Sequence, residues 1–256
     1  MEISRERIIE AITNNFINNP VVYALWLEGA DSTHAVDEFS DIDLWLDVED
    51  GREDDIFSQI ERLLTEIGPL DFIYQAEHPH PKIRHKVFHL QDTSEFLLLD
   101  ICIQSHSRKA EESEFVVGDP IESPRVIFDK AAVIRFRPLD KAQLQRQLQA
   151  RIFHLEHIFA RRSGAKKYVM RNEFLEALAY YHRYVLEPLV ELLRIRYTPL
   201  HYGYGPVHIS RHLPQDVVLA LEALYKITTM DDVLEGIHKA ESLFTETMAA
   251  ISSLQE

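Results

Sequence analysis

The residues with the most chemical content are three aspartates, two of them one position apart. Asp41-Ile42-Asp43-Leu44 closes a polar stretch of ten residues that follows Leu25-Trp26-Leu27-Glu28-Gly29-Ala30. Side chains on a strand alternate between faces, so a strand over 42–48 points Asp41 and Asp43 one way and Ile42 and Leu44 the other. Two carboxylates side by side repel each other unless a cation sits between them. Hard oxygen ligands at that spacing suit Mg²⁺, which keeps waters and shares itself with substrate phosphates. A solvated strand edge would show the same pair, so the spacing alone leaves both readings open.

Gly29 stands where the preceding strand must turn, and Asp31, Ser32 and Thr33 follow it. Such a turn offers backbone N–H groups and hydroxyls to a phosphate, or it is simply a turn. The third acid, Asp100, interrupts Phe96-Leu97-Leu98-Leu99-Asp100-Ile101-Cys102-Ile103, a run typical of strands buried on both faces. An ionised carboxylate is costly there without compensation. A shared metal or a substrate hydroxyl whose proton it accepts would supply that compensation, and so would a neighbouring Arg or Lys.

Positioning these acids requires a strand-rich first half. Ile8, Ile9, Ile12 and Phe16 mark a helix over 5–18, and Ile56, Ile60, Leu63, Leu64 and Ile67 mark another over 54–67. Strands are expected over 21–27, 42–48, 72–75, 86–90 and 96–103, with short edge strands over 126–128 and 133–136. From Leu139 the period becomes helical: Leu144, Leu148, Ile152, Leu155 and Phe159 recur at spacings of four and three. A helix over 172–197 is expected to kink near Pro188, and one over 214–227 carries Pro214 in its first turn. A last helix carries Val233, Ile237, Ala240, Phe244, Met248 and Ile251. The pattern is α+β, strands followed by a helical bundle, with a boundary near Pro138.

Composition narrows the function classes. A chain of 256 residues with 46% hydrophobic and 27% charged residues is that of an ordinary globular protein. Its net charge of -15, from 42 acidic against 27 basic residues, repels nucleic-acid backbones and favours a cationic partner. Cys102 is the single cysteine, which rules out a disulfide framework. The opening Met1-Glu2-Ile3-Ser4-Arg5-Glu6 has no basic region leading into an apolar stretch, and no apolar run approaches a bilayer span. The expectation is a cytoplasmic protein with neither a nucleic-acid nor a membrane partner. Thirteen histidines invite a metal reading, and His85 and His89 share a strand face. With no carboxylate or cysteine at ligand spacing, zinc is weakly supported.

Gly29, the ten-residue gap and Ser40-Asp41-Ile42-Asp43-Leu44 resemble the motif of the nucleotidyltransferase superfamily that includes DNA polymerase β and the aminoglycoside and lincosamide adenylyltransferases. Asp100 looks like that family's third acid. Gly118-Asp119-Pro120 through Val126-Ile127-Phe128-Asp129-Lys130 is similar to the end of the catalytic domain in the antibiotic-modifying branch. Arg211-His212-Leu213-Pro214 is similar to part of that branch's helical bundle. The resemblance implies a mixed-sheet nucleotidyltransferase domain over 1–137 and an all-helical acceptor-binding domain over 138–256. It implies Mg²⁺ held by Asp41, Asp43 and Asp100, with these acids also catalytic, and ATP or another NTP as co-substrate. The acceptor would be small, hydroxylated and cationic or sugar-like. Phosphate contacts would come from Gly29, Ala30, Ser32, Thr33 and Ser40, with Arg171 from the second half.

Two positions depart from the family pattern. The Gly-Ser pair is Gly29-Ala30, so a phosphate-binding hydroxyl is missing unless Ser32 or Thr33 replaces it. A lysine found in some relatives is absent from His201-Tyr202-Gly203-Tyr204, which leaves Arg171, Lys167 or Arg211 as substitutes. A non-catalytic nucleotide-binding module and a protein-modifying nucleotidyltransferase therefore stand beside the small-molecule enzyme.

Overall fold

The structure is a computed structural model describing residues 3–253; the extreme ends of the expected domains lie outside the described residues. The chain divides into two compact units between Leu139 and Asp140. No helix among the described residues is long and apolar enough to cross a membrane.

The first unit is built on a mixed six-stranded sheet. Its elements run α1 (Arg5–Phe16), β1 (Val22–Leu27), α2 (Gly29–Thr33), β2 (Ile42–Val48), α3 (Glu53–Ile67), β3 (Leu70–Ala76), β4 (Ile83–Leu90) and β5 (Leu99–Ser105). They continue through β6 (Phe115–Val116), β7 (Arg125–Asp129) and β8 (Phe136–Arg137). The sheet order is β3-β4-β5-β2-β1-β7, and β6 and β8 form a separate two-stranded ribbon. β2 and β5 run parallel; the other neighbours in the six-stranded sheet are antiparallel.

Alternation along the strands splits the sheet into two chemically different faces. Leu25 and Leu27 of β1, Ile42, Leu44 and Leu46 of β2 and Leu99, Ile101 and Ile103 of β5 turn inward. They bury against Ile8, Ile12 and Phe16 of α1 and Ile56, Phe57, Ile60 and Leu64 of α3. Burying a side chain of that size contributes roughly 1.5–3 kcal/mol, so this face fixes the register. The opposite face carries Trp26, Asp43, Trp45, Asp47, Asp100, Cys102 and Gln104, and His85 joins it from β4.

Several expectations change in detail. The stretch after Gly29, read as an irregular loop, begins with helix α2. The run over 96–103 becomes a strand only at Leu99, and Phe96 is exposed; from Leu99 onward β5 is buried on both faces, as expected, apart from the partly exposed Asp100. The strand expected over 133–136 shrinks to Phe136–Arg137, paired with a two-residue strand that has no periodicity to announce it.

The second unit is helical: α4 (Lys141–Ala160), α5 (Ser163–Met170), α6 (Phe174–Tyr181), α7 (Glu187–Tyr197), α8 (Ile209–His212), α9 (Gln215–Tyr225) and α10 (Met230–Ser253). Between α6 and α7, His182–Leu186 winds as a π-helix. Pro188 explains it: with no N–H and a ring that crowds the carbonyl four residues back, it forces the preceding turn to widen. Pro214 caps α9 from outside rather than sitting in its first turn. Leu155, Phe159, Tyr181, Leu189, Leu193, Val218, Ile237 and Phe244 form the core of this unit.

Candidate active site

The acids on the polar face are brought together by strand register. Asp43 on β2 stands directly opposite Asp100 on β5, held by parallel pairing. On the other side of β2, the backbone N–H of Glu28 donates to the Asp43 carbonyl at 3.0 Å, which sets Glu28 beside Asp43. Trp26 and Trp45 stack next to them with centroids 5.7 Å apart, and the Trp26 indole N–H donates to Glu28 Oε1 at 2.8 Å.

Gly29 is essential to this approach. Its φ is +59°, in the left-handed region that favours glycine, and a Cβ added there would overlap the Asp43 carboxylate. The chain therefore turns from β1 into α2 directly against the acid.

The electrostatics set Asp43 apart. Burial pushes its carboxyl up to about 7, and Asp41, Asp100, Glu28 and Asp31 all push in the same direction. Glu28 is also raised to about 7, first by burial; the Trp26 hydrogen bond and Arg108 oppose the shift while Glu122 adds to it. A carboxylate whose surroundings all favour its protonated form is one to which a cation would bind. Asp43 and Asp100 lie side by side across the β2–β5 ladder, and Asp41 adds its charge at the strand's start; among the described residues, a group whose ligand atoms lie within 4.8 Å of one another joins Asp100 to His85 and Cys102, not to Asp41 and Asp43.

Asp31, the buried acid of α2, is answered from a distance. Arg5 on α1 donates to its carboxylate and to the Asp41 carbonyl, and also to the Ser40 carbonyl at 2.9 Å. Arg125 lies 3.6 Å from Asp31. Arg5 thus ties the first turn of α1 to α2 and to the backbone entering β2. The sequence signal for this was weak, because Arg5 and Asp31 are 26 residues apart.

The candidate phosphate contacts are placed as follows. Ser32 Oγ and Thr33 Oγ1 both donate to the Gly29 carbonyl, at 2.9 and 3.1 Å, so these hydroxyls are used inside α2. Ser40 Oγ donates to Asp37 Oδ1 at 2.8 Å and accepts from the Asp37 N–H, closing the turn before β2. Ala30 follows Gly29 in α2 and has no side-chain donor. Arg171 belongs to the second unit, where it caps α5 with its guanidinium 5.9 Å from the Tyr168 ring. In the nearby basic cluster, Arg162 donates to Glu241 at 2.6 Å and Lys166 lies 3.6 Å from it, which joins α10 to the α4–α5 corner.

Two residues that sequence reasoning missed or set aside stand out. Glu28 could have been found, because it follows Trp26 at strand spacing and precedes the glycine. His85 could not: its Nε2 lies 2.5 Å from Asp100 Oδ1, a proximity that depends on β4 pairing with β5. This histidine takes the place of the Arg or Lys weighed as a partner for Asp100.

No protein-family model matches the chain, and no curated protein sequence matches it. Solved structures do align with it. An aminoglycoside 6-adenyltransferase from Bacillus subtilis is 16% identical, with 98% of this chain and 91% of that one covered, at a TM-score of 0.41. A nucleotidyltransferase-like protein from Exiguobacterium sibiricum aligns at 13% identity over 95% of this chain and 75% of its own, TM-score 0.35. A spectinomycin adenyltransferase from Enterococcus faecialis, solved with ATP and spectinomycin, aligns at 8% identity over 95% and 98%, TM-score 0.33. At this level of similarity, chemistry has to be read from the side chains of this chain.

Proposed function

We propose that the chain is a nucleotidyltransferase that moves a nucleotidyl group, AMP from ATP in the first instance, to a hydroxyl of a small acceptor. An aminoglycoside-like, cationic acceptor suits the acidic surface. The observation that carries this reading is Asp43: held opposite Asp100, crowded by Gly29, and surrounded by acids that all raise its pKa.

In this reading Asp41, Asp43 and Asp100 would hold Mg²⁺, which would supply Lewis-acid neutralisation of charge on the reacting phosphate. Asp100, about one-third exposed, would accept the acceptor hydroxyl's proton, since a base must reach the atom it deprotonates. Glu28 forms hydrogen bonds at the border of the site and adds negative charge for a cationic acceptor. Gly29 and the amide groups opening α2 are the contacts for phosphate, and Arg171 is a further candidate. Residues 1–137 would do the chemistry and residues 138–256 would choose the acceptor.

The test is pyrophosphate release with MgATP across a panel of aminoglycosides and other polyhydroxylated amines. Turnover is expected with at least one acceptor, and Asp41→Asn should abolish it while the circular dichroism spectrum stays unchanged. Full activity in that variant would refute the reading. A second reading, a nucleotide-binding module without turnover, is favoured by Ala30 and by the hydroxyls of Ser32 and Thr33 being turned back onto Gly29. Calorimetry showing tight binding of an ATP analogue, together with no product from any acceptor, would select it. Labelling of a protein band by radiolabelled ATP in lysate would instead select a protein-modifying enzyme.

A further inference from the structure

Resting on the nucleotidyltransferase reading, we infer that His85 and Asp100 together form a mixed nitrogen–oxygen cation position, so that this chain binds Mn²⁺ or a similar transition metal there in preference to Mg²⁺.

The placement follows from register. His85 stands opposite Cys102, and Asp100 lies two residues before Cys102 on the same face of β5. A diagonal neighbour across antiparallel strands is within reach of an imidazole. One ligand atom each from His85, Asp100 and Cys102 fall within 4.8 Å of one another. Asp43 then stands across β5 from β4, opposite Asp100. Oxygen and nitrogen donors therefore meet along one row of the polar face.

The decisive detail is how His85 meets the acid. Its Nε2 is 2.5 Å from Asp100 Oδ1, yet it is buried and makes no hydrogen bond with that oxygen or with any other described group. The two atoms are close without pointing at each other. Leaving a buried polar nitrogen unanswered is unfavourable, whereas two ligands of one ion converge in this way. His89, on the same strand, shows the alternative. Its Nδ1 is hydrogen-bonded to Asp71 at 2.6 Å, and its Nε2 lies 3.0 Å from the Ser94 carbonyl. The two histidines that look equivalent in sequence thus differ: His89 is held by hydrogen bonds, whereas His85 Nε2 meets the charge of Asp100 without one.

The donor chemistry sets the preference. Mg²⁺ favours an all-oxygen octahedral shell and is bound by carboxylates, water and phosphates. Imidazole nitrogen favours first-row transition metals over Mg²⁺, least strongly for Mn²⁺ at the bottom of the series, which makes Mn²⁺ the most stringent probe.

The experiment is three-pulse electron spin echo spectroscopy on the full chain loaded with Mn²⁺, without nucleotide and at fixed pH. Wild type should show modulation from one imidazole ¹⁴N, and His85→Gln should lose it. The same substitution should weaken Mn²⁺ binding about tenfold or more while moving Mg²⁺ binding by less than about twofold. Wild-type Mn²⁺ with no nitrogen coupling overturns the inference without any variant having to fold. Coupling that persists in a folded His85→Gln also overturns it. An Asp43→Asn sample separates the two levels. If Mn²⁺ binds without nitrogen coupling and is lost in Asp43→Asn, the inference fails and the nucleotidyltransferase reading stands. If Mn²⁺ binding is indifferent to Asp43, that reading fails with it.

Discussion

Asp43 and Asp47 stand on the same face of the same strand, and both have pKa values raised by burial, yet their surroundings differ in kind. Asp47 is 1% exposed and fully answered: Gln104 Nε2 donates to one oxygen at 2.6 Å and His106 Nδ1 to the other at 2.6 Å. Those two hydrogen bonds pull against the effect of burial. At Asp43, Asp41, Asp100, Glu28 and Asp31 all act in the same direction as burial. One carboxylate is a structural pin between β2 and β5, and the other is surrounded by like charges, which the proposed cation would offset. Burial of an acid therefore says little about function; what distinguishes a site is whether the protein has provided the counter-charge.

The largest expected effect of breaking this contrast is at Gly29. Gly29→Ala would push a methyl group into the Asp43 carboxylate at a φ of +59°. The proposed nucleotidyl transfer should fall by roughly 100-fold, since displacing a reacting group by about 1 Å can cost that much. Gly51→Ala is the control: φ is +81° but nothing lies within 4 Å of the added Cβ. It should cost about 1–2 kcal/mol of stability for the left-handed backbone and leave turnover unchanged. Steady-state kinetics and urea denaturation of the two variants check both statements.

On the Asp47 side the expected loss is in stability alone. Asp47→Ala removes the acceptor for Gln104, itself 2% exposed, and for His106. Stranding a buried donor costs about 1–3 kcal/mol, so the urea midpoint should drop accordingly. Divalent-ion affinity should stay within about twofold of wild type; a loss comparable to that of an Asp43 variant would erase the distinction between the two acids.

A smaller effect should appear in pH dependence. The Asp43 carboxyl is raised from 3.8 to about 7 in the folded state. Between those values the folded chain binds more protons than the unfolded one, so this contribution to stability is present at low pH and is lost as pH rises through about 7. The metal-free Tm should therefore decline by a few degrees between pH 5 and pH 8, and Asp43→Asn should flatten the decline. Glu28, raised for similar reasons, contributes a parallel slope that survives in the variant. A metal-free Tm that climbs steadily over this range in wild type would contradict the charge environment described for Asp43.

Much of this arrangement was legible in the residues because alternation is a local signal. β2 runs Ile42–Val48, as the pattern predicts, with Asp43 and Ile42 on opposite faces. Asp100 announced itself as a charge in an apolar run. Its environment was not legible: the run does not say which side chains the neighbouring strands β2 and β4 bring to its face. His85 was hidden because its meaning depends on which strand lies next to β5, information that periodicity within β4 does not carry. Arg5 was hidden by distance along the chain, since α1 reads as an amphipathic helix whatever its first residue grips. In the second unit, Pro188 marked a disturbance, and the π-helical turn that resolves it came from crowding at the carbonyl of Tyr184.

The proposed cation site needs Asp43 and not Asp47. Isothermal titration of Mn²⁺ into wild type, Asp43→Asn and Asp47→Asn at pH 7.5 tests it most directly. The account predicts saturable binding in wild type and Asp47→Asn and none in Asp43→Asn, with all three chains folded. Equal binding by wild type and Asp43→Asn would contradict it.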